Sequence, residues 1–130
     1  MIRNYKTGNI IVRQGEENSK SLFIIKKGKC AVQRAVNNKI IDCGFIREGD
    51  IFGEISMILN VERAATIIAK DDEVIVEEFN RHDFLDKITH NPEIAWKVLT
   101  NLAMKTQMLD EIQEQISDPA TLKKLLTGRI

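Results

Sequence analysis

The chain has 130 residues, the size of one ordinary domain, and its 19 basic and 19 acidic residues leave no formal net charge. A neutral total removes the general reason to expect a nucleic-acid partner, because duplex binding draws its affinity from cationic surface. No apolar run approaches membrane-spanning length, and residues 1–6 lack the apolar stretch of a signal peptide. We therefore expect a cytoplasmic protein with neither a membrane partner nor direct nucleic-acid binding.

The two cysteines, Cys30 and Cys43, have no CxxC spacing, which fits a reducing compartment. Both fall in predicted strands, and the simpler expectation is that each is a small buried apolar side chain. Alternatively, the two thiols face each other across a hairpin, and the sequence leaves that question open.

Short apolar segments separated by turn signals fill the first part of the chain. Many short strands at this spacing favour an antiparallel sandwich or barrel over about residues 7–79. The Asn37-Asn38 pair predicts a tight hairpin turn. The predicted strands lie at residues 10–13, 22–25, 29–36, 39–46, 64–69 and 73–79.

The pattern then changes to helical spacing, in a tail over about residues 81–127. Asn80 is suited to cap a short helix with Phe84, Leu85 and Ile88 on its apolar face. Pro92 stands at the start of a long helix, about residues 93–116. A last short helix after Pro119 carries Leu122, Leu125 and Leu126. We expect one domain, residues 1–130.

The long helix has an apolar seam with two interpretations. A seam of this kind more often packs against the barrel of its own chain, but it also fits a homodimer interface through helix 93–116. Lys105 interrupts the seam and weakens a continuous coiled coil. The seam consists of Val98, Leu102, Leu109, Ile112 and Ile116.

The segment most informative about function is residues 52–66, FGEISMILNVERAAT. Gly53 permits backbone angles closed to other residues and lets a ligand approach closely. If residues 54–59 form a short helix, its first N–H groups, near Ile55 and Ser56, favour an anion. Arg63 can return from the following loop with a forked donor suited to two phosphate oxygens.

Glu54 needs a separate explanation, because a carboxylate repels an anion. A sugar hydroxyl is a suitable partner, since an ionised carboxylate only accepts hydrogen bonds. The three residues Gly53, Glu54 and Arg63 therefore favour a ribose phosphate, and Ala64 and Ala65 leave room beside the arginine. The alternative is an ordinary surface ion pair between Glu54 and Arg63, which contributes little.

The ordered features of residues 52–66 resemble the phosphate-binding cassette of the cyclic nucleotide-binding domain family. That family includes protein kinase A regulatory subunits, cyclic nucleotide-gated channels and the bacterial catabolite activator protein. The resemblance extends to residues 8–16, 22–28, 49–54 and 81–84, and covers about residues 5–115. It implies a mainly β fold with flanking helices: an antiparallel β-roll, or jelly-roll, of the cyclic nucleotide-binding type with a long C-terminal helix.

The resemblance also implies a role for each cassette residue. Arg63 would clamp the exocyclic oxygens of a cyclic phosphate, and Glu54 would accept a hydrogen bond from the ribose 2′-hydroxyl. Gly53, the N–H groups near Ile55 and Ser56, and Ala65 would complete the phosphate cradle. In the family, a Thr or Ser after the arginine often helps to bind cyclic GMP. Here that position is Ala64, so cyclic AMP is expected.

We therefore expect a non-catalytic cyclic nucleotide sensor without a metal or cofactor. The segment after Pro119 is too short for the helix-turn-helix of the family's transcription factors. One rival is a cupin-type enzyme, which would need a metal site that His82 and His90, flanking a helix, do not favour. Another is an interaction module that kept the fold and lost the ligand. Trp96, Met104 and Met108 suit an adenine cover, but core packing is the default expectation.

Overall fold

The computed structural model describes the backbone of residues 1–115 and the side chains of residues 1–108. One compact unit covers Met1–Leu85, and a second begins at Asp86. The predicted last short helix lies outside the described residues, and so do the side chains of the seam from residue 109 onward. The prediction of one domain over residues 1–130 stays a prediction.

The first unit is built from eight strands and a short helix, α1 (Glu54–Leu59). The strands form two antiparallel sheets of four strands each, in the orders β1-β8-β3-β6 and β2-β7-β4-β5. This arrangement confirms the predicted mainly antiparallel β fold. The strands are β1 (Ile2–Tyr5), β2 (Ile10–Val12), β3 (Leu22–Lys27), β4 (Cys30–Val36), β5 (Lys39–Ile46), β6 (Ile51–Phe52), β7 (Thr66–Ala69) and β8 (Val74–Phe79).

The apolar core takes side chains from both sheets, because alternate residues of each strand point to opposite faces. Phe23 of β3 and Phe52 of β6 stack in this core, with ring centroids 4.8 Å apart and planes 10° from parallel. Ile25, Val32, Ile67 and Val76 are buried around them. Phe52 is also the residue before Gly53, so the start of the cassette is anchored in the core.

The hairpin between β4 and β5 turns at the predicted pair of asparagines. Asn37 and Asn38 have φ of 52° and 63°, and Val36 pairs with Lys39 across the turn. Two consecutive left-handed residues match the right-handed twist of the flanking strands, which is why asparagine is favoured there. The predicted hairpin is confirmed.

The expectation that both cysteines are buried is right for Cys30 and wrong for Cys43. Strand β5 lies at the edge of its sheet, and seven of its eight residues are exposed. Cys43 therefore stays in contact with solvent although its segment is apolar. The register pairs Cys30 with Ile46 rather than with Cys43, and both thiols are free.

The sequence patterns missed β1 and β6. Strand β1 has no clear apolar alternation and is held by backbone pairing with β8, in which Ile2 faces Glu77. Strand β6 has only two residues, too few for any periodic signal. Strand β7 begins at Thr66, two residues later than predicted, because Ala64 and Ala65 form a bend.

Two helices follow the strands, α2 (Arg81–His90) and α3 (Pro92–Gln115), close to their predicted bounds. Asn80 caps α2, since its Oδ1 accepts a hydrogen bond of 2.7 Å from the Asp83 N–H. On the apolar face of α2, Phe84 is buried and packs edge-on against Phe79, whereas Leu85 is exposed.

On α3, Val98 of the predicted seam is buried and Leu102 is half-buried. Trp96, Met104 and Met108 are exposed, so core packing is the wrong expectation for these three. At about 100° per residue, Trp96 lies on the side of the helix opposite Val98, Met104 lies about 120° from it and Met108 about 80° from it. No helix within residues 1–115 is long and apolar enough to cross a membrane. A homodimer through this helix stays a prediction.

Candidate functional site

Three polar residues of the described side chains are buried, and all belong to the cassette, residues 52–66. Glu54 is 0%, Arg63 2% and Ser56 4% exposed. Charged side chains are almost never buried this fully unless they have partners. The alternative of an exposed surface ion pair between Glu54 and Arg63 is therefore wrong.

Gly53 is the N-cap of α1 and has φ 81° and ψ 2°, in the left-handed region. A Cβ at this position would lie 2.6 Å from Nη1 of Arg63 and 2.7 Å from the carbonyl oxygen of Ser21. The predicted backbone angles are confirmed, and the group that approaches closely is the guanidinium of the same cassette. Any side chain at position 53 would displace the Arg63 guanidinium.

The guanidinium of Arg63 donates four hydrogen bonds to protein groups of the described chain. Nη1 donates to the carbonyl oxygen of Gly53 at 3.1 Å, and Nη2 to that of Ser21 at 2.7 Å. The hydroxyl oxygen of Ser19 accepts from both Nε, at 3.3 Å, and Nη2, at 2.9 Å. Arg63 therefore joins α1 to the loop between β2 and β3.

The charge of Arg63 is held in an apolar setting with carboxylates nearby. The guanidinium carbon lies 5.6 Å from the centre of the Phe23 ring. Burial lowers the pKa of Arg63, and the carboxylates of Glu16, Glu78 and Glu54 act in the opposite direction. Because an arginine in a protein stays protonated, the cassette carries a buried positive charge beside the buried carboxyl of Glu54.

The backbone of Arg63 is also tied to the loop after β2. Its N–H donates to the carbonyl oxygen of Glu16 at 3.0 Å, and its own carbonyl accepts from the Gly15 N–H at 2.8 Å. The neighbouring Gln14 N–H donates to the Thr66 hydroxyl at 3.0 Å. Residues 14–21, here called the 14–21 loop, therefore position the arginine at both its backbone and its side chain.

Ser19 and Ser21 were missed as site residues. Their segment is a polar turn by composition, and no spacing signal links it to an arginine 44 and 42 positions later. The pairing of β2 with β7 brings the two segments together.

The remaining predicted site residues surround α1 and its return loop. Ser56 is buried and its hydroxyl donates to the Glu62 carbonyl at 3.3 Å, so it closes the loop from α1 to Arg63. Ala65 is buried, while Ile55 and Ala64 are half-buried. The structure therefore places Gly53, Glu54 and Arg63 together, and the ligand-binding roles of all seven predicted residues stay predictions.

A further carboxylate links the 14–21 loop to the first strand. Oε2 of Glu78 accepts a hydrogen bond of 2.8 Å from the Ser21 hydroxyl, and Oε1 is ion-paired with Arg3. The backbone of Glu78 also accepts from the N-terminal amine of Met1 at 2.8 Å. Ser21 therefore has both its hydroxyl and its carbonyl engaged, which fixes the carbonyl that Arg63 uses.

The two histidines lie on α2, His82 in its first turn and His90 as its last residue. Nδ1 of His90 lies 2.9 Å from the Asp86 carbonyl oxygen within the same helix. Among the side chains of residues 1–108, no three or more of His, Cys, Asp or Glu are grouped to hold a metal ion.

The sequence model of one family matches most of the sheet-forming unit. The family is described as the cyclic nucleotide-binding domain, and the match covers residues 2–91. The chain belongs to this family, which agrees with the two sheets and with the buried cassette.

Relatives and solved structures are consistent with that membership. The chain is 37% identical over 86 residues to Rap guanine nucleotide exchange factor 1 of Caenorhabditis elegans, covering 66% of this chain and 8% of that protein. It is 36% identical over 84 residues to a cGMP-dependent protein kinase of Toxoplasma gondii, covering 65% of this chain and again 8% of the relative. The catabolite activator protein of Thermus thermophilus superimposes with a TM-score of 0.79 at 25% identity, covering 90% of this chain and 55% of that one.

Proposed function

We propose that the chain is a non-catalytic sensor that binds cyclic AMP at its cassette. The observation that carries the proposal is the burial of Glu54 and Arg63 beside Gly53. One acceptor and one forked donor on a fixed backbone match the hydroxyl and the phosphate of a ribose phosphate. The family match over residues 2–91 supports the same class of ligand.

In this proposal, Arg63 binds the exocyclic phosphate oxygens and Glu54 accepts from the ribose 2′-hydroxyl. Gly53, Ser56 and Ala65 shape the cradle, and the backbone near Ile55 donates N–H groups to the phosphate. Each role is a binding role, and none of these residues forms or breaks a bond of the nucleotide.

The choice between adenine and guanine rests on the residue after the arginine. Ala64 offers no hydroxyl to a guanine, which favours cyclic AMP. Cyclic GMP is the second candidate, because the relative in Toxoplasma gondii is named a cGMP-dependent kinase. Ala64→Thr tests this reasoning, and we expect it to raise the affinity for cyclic GMP more than that for cyclic AMP.

The direct experiment is calorimetric titration of the chain with cyclic AMP and with cyclic GMP. We expect saturable binding, tighter for cyclic AMP. Absence of binding by either nucleotide at millimolar concentration would refute the sensor proposal, and tighter binding of cyclic GMP would refute the adenine preference.

Arg63→Lys keeps the positive charge but loses the forked donor. We expect it to weaken nucleotide binding by about 1.5–3 kcal/mol, the value of a hydrogen bond to a charged group. Arg47→Lys is the matched control, because Arg47 is exposed and lies outside the cassette. Equal affinity of the Arg63→Lys variant and the wild type would place the phosphate elsewhere.

Glu54→Gln tests the ribose contact in combination with 2′-deoxy cyclic AMP. With cyclic AMP, we expect the substitution to cost roughly 1.5–3 kcal/mol of binding free energy. With the deoxy ligand the cost should largely disappear, because the hydroxyl that Glu54 recognises is already absent. The same cost with both ligands would show that Glu54 acts through the fold rather than on the ribose.

A further inference from the structure

The guanidinium of Arg63 has two edges, each able to grip a pair of oxygens. Its end-on edge, Nη1 and Nη2, donates to the carbonyl oxygens of Gly53 and Ser21. Both acceptors belong to the main chain, one at the N-cap of α1 and the other next to the first residue of β3. The two acceptors on this edge are main-chain carbonyls, which cannot move away from the guanidinium unless α1 or the start of β3 moves.

The side-on edge, Nε and Nη2, has a different kind of partner. Both nitrogens donate to one oxygen, the hydroxyl of Ser19, at 3.3 Å and 2.9 Å. Ser19 lies in the 14–21 loop, outside any strand, and is half-buried. A single hydroxyl on a loop can leave this edge by rotation about its own side-chain bond, with every strand kept in place.

The four hydrogen bonds engage four of the five N–H groups of the guanidinium. A phosphate that uses Arg63 as a bidentate clamp must therefore replace at least one present partner. Ser19 is the one partner among these that is a side chain. It is also the one that faces a complete bidentate edge.

We infer that Ser19 is an internal competitor for the phosphate, occupying the side-on edge of Arg63 until a cyclic nucleotide displaces it. The inference rests on the proposed function, because it concerns the same arginine. Ser19 is then a positioning residue that sets how tightly the nucleotide binds. Its hydroxyl accepts from Nε and Nη2 in the unbound protein and leaves this edge when the phosphate binds.

Removal of the Ser19 hydroxyl should raise the affinity for the nucleotide rather than lower it. Ser19→Ala removes two hydrogen bonds from the arrangement in which Ser19 holds Arg63, and none from the nucleotide-bound arrangement. We therefore expect the variant to bind the nucleotide roughly tenfold more tightly, since a hydrogen bond to a charged group has about that effect. A residue that merely supported the fold would change affinity in the opposite direction or leave it unchanged.

The experiment is calorimetric titration of the wild type and three Ser19 variants with cyclic AMP and with cyclic GMP. Ser19→Ala should bind more tightly, and Ser19→Thr, which keeps the hydroxyl, should restore the wild-type value. Ser19→Asp places a carboxylate on the same edge and should weaken binding by at least about tenfold, because it is a stronger competitor. Thr7→Ala is the matched control, since it removes an exposed hydroxyl that bonds to Asp72.

Urea unfolding with and without the nucleotide supplies a second measurement. Ser19→Ala should unfold at lower urea than the wild type without nucleotide, and at nearly the same urea with saturating nucleotide. If the wild type binds and Ser19→Ala binds equally or more weakly, the inference is overturned while the proposed function stands. If the wild type binds neither nucleotide, the proposed function fails and this inference fails with it. If Ser19→Ala does not fold, undiminished affinity of Ser19→Asp overturns the inference, and weakened affinity supports it.

Discussion

Replacement of Gly53 by alanine tests the geometry on which the candidate site depends. Gly53 has φ 81°, and an added Cβ would meet Nη1 of Arg63 at 2.6 Å and the Ser21 carbonyl oxygen at 2.7 Å. The arginine tip can swing away, but the carbonyl belongs to the main chain beside β3. The methyl group therefore cannot be accommodated by side-chain motion alone.

The expected cost has two parts. The left-handed backbone conformation costs a non-glycine residue roughly 1–2 kcal/mol. Displacing Nη1 from the Gly53 carbonyl costs about 1.5–3 kcal/mol more, because that bond involves a buried charge. We therefore expect Gly53→Ala to lower the free energy of unfolding by about 2.5–5 kcal/mol.

Gly15→Ala is the matched control, because it separates the two parts. Gly15 has φ 84°, close to that of Gly53, but an added Cβ there meets nothing within 4 Å. We expect this variant to lose only the conformational part, about 1–2 kcal/mol. Urea unfolding followed by far-ultraviolet circular dichroism measures both values. Equal losses for the two variants would refute the close approach of Arg63 and Ser21 to Gly53.

Two further predictions concern stability outside the cassette. Asn80→Ala should lower the free energy of unfolding by about 1 kcal/mol, because it removes the acceptor for the Asp83 N–H. Asn80→Asp keeps a capping oxygen and should retain most of the stability of the wild type. Equal losses for the two variants in thermal unfolding would contradict the cap. Burial, with a smaller contribution from Asp71, raises the pKa of the Cys30 thiol from 9.0 to about 11. The unfolded chain then releases this proton at lower pH than the folded one. The contribution of the Cys30 thiol to the free energy of unfolding is therefore complete below pH 9 and is lost as the pH rises to about 11. The free energy of unfolding falls over this range with a slope of up to about 1.4 kcal/mol per pH unit. Cys30→Ala should show a shallower decline than the wild type in urea unfolding between pH 8.5 and pH 10.5, and identical slopes would refute the assignment.

Local features of this chain were predictable from the sequence wherever the residues of one short segment decide the structure of that segment. Helix α1 lies at residues 54–59 and strand β5 at residues 39–46, as their apolar patterns and turn signals predicted. Asn37-Asn38 forms its hairpin because asparagine tolerates the left-handed conformation. The cassette was likewise recognisable, since Gly53, Glu54 and Arg63 lie within one short segment.

The tertiary structure decided what those residues contact. Ser19 and Ser21 lie 44 and 42 positions from Arg63, and no sequence pattern links residues so far apart. The order of the strands brings the 14–21 loop into contact with the guanidinium. Cys43 is exposed because β5 is an edge strand, a fact of sheet order rather than of its own segment. The sequence by itself determined six of the eight strands, the hairpin turn and the identity of the cassette, because these depend on neighbours along the chain. The fold alone determined that Arg63 is buried and already bonded, because its partners come from segments that only sheet pairing brings together.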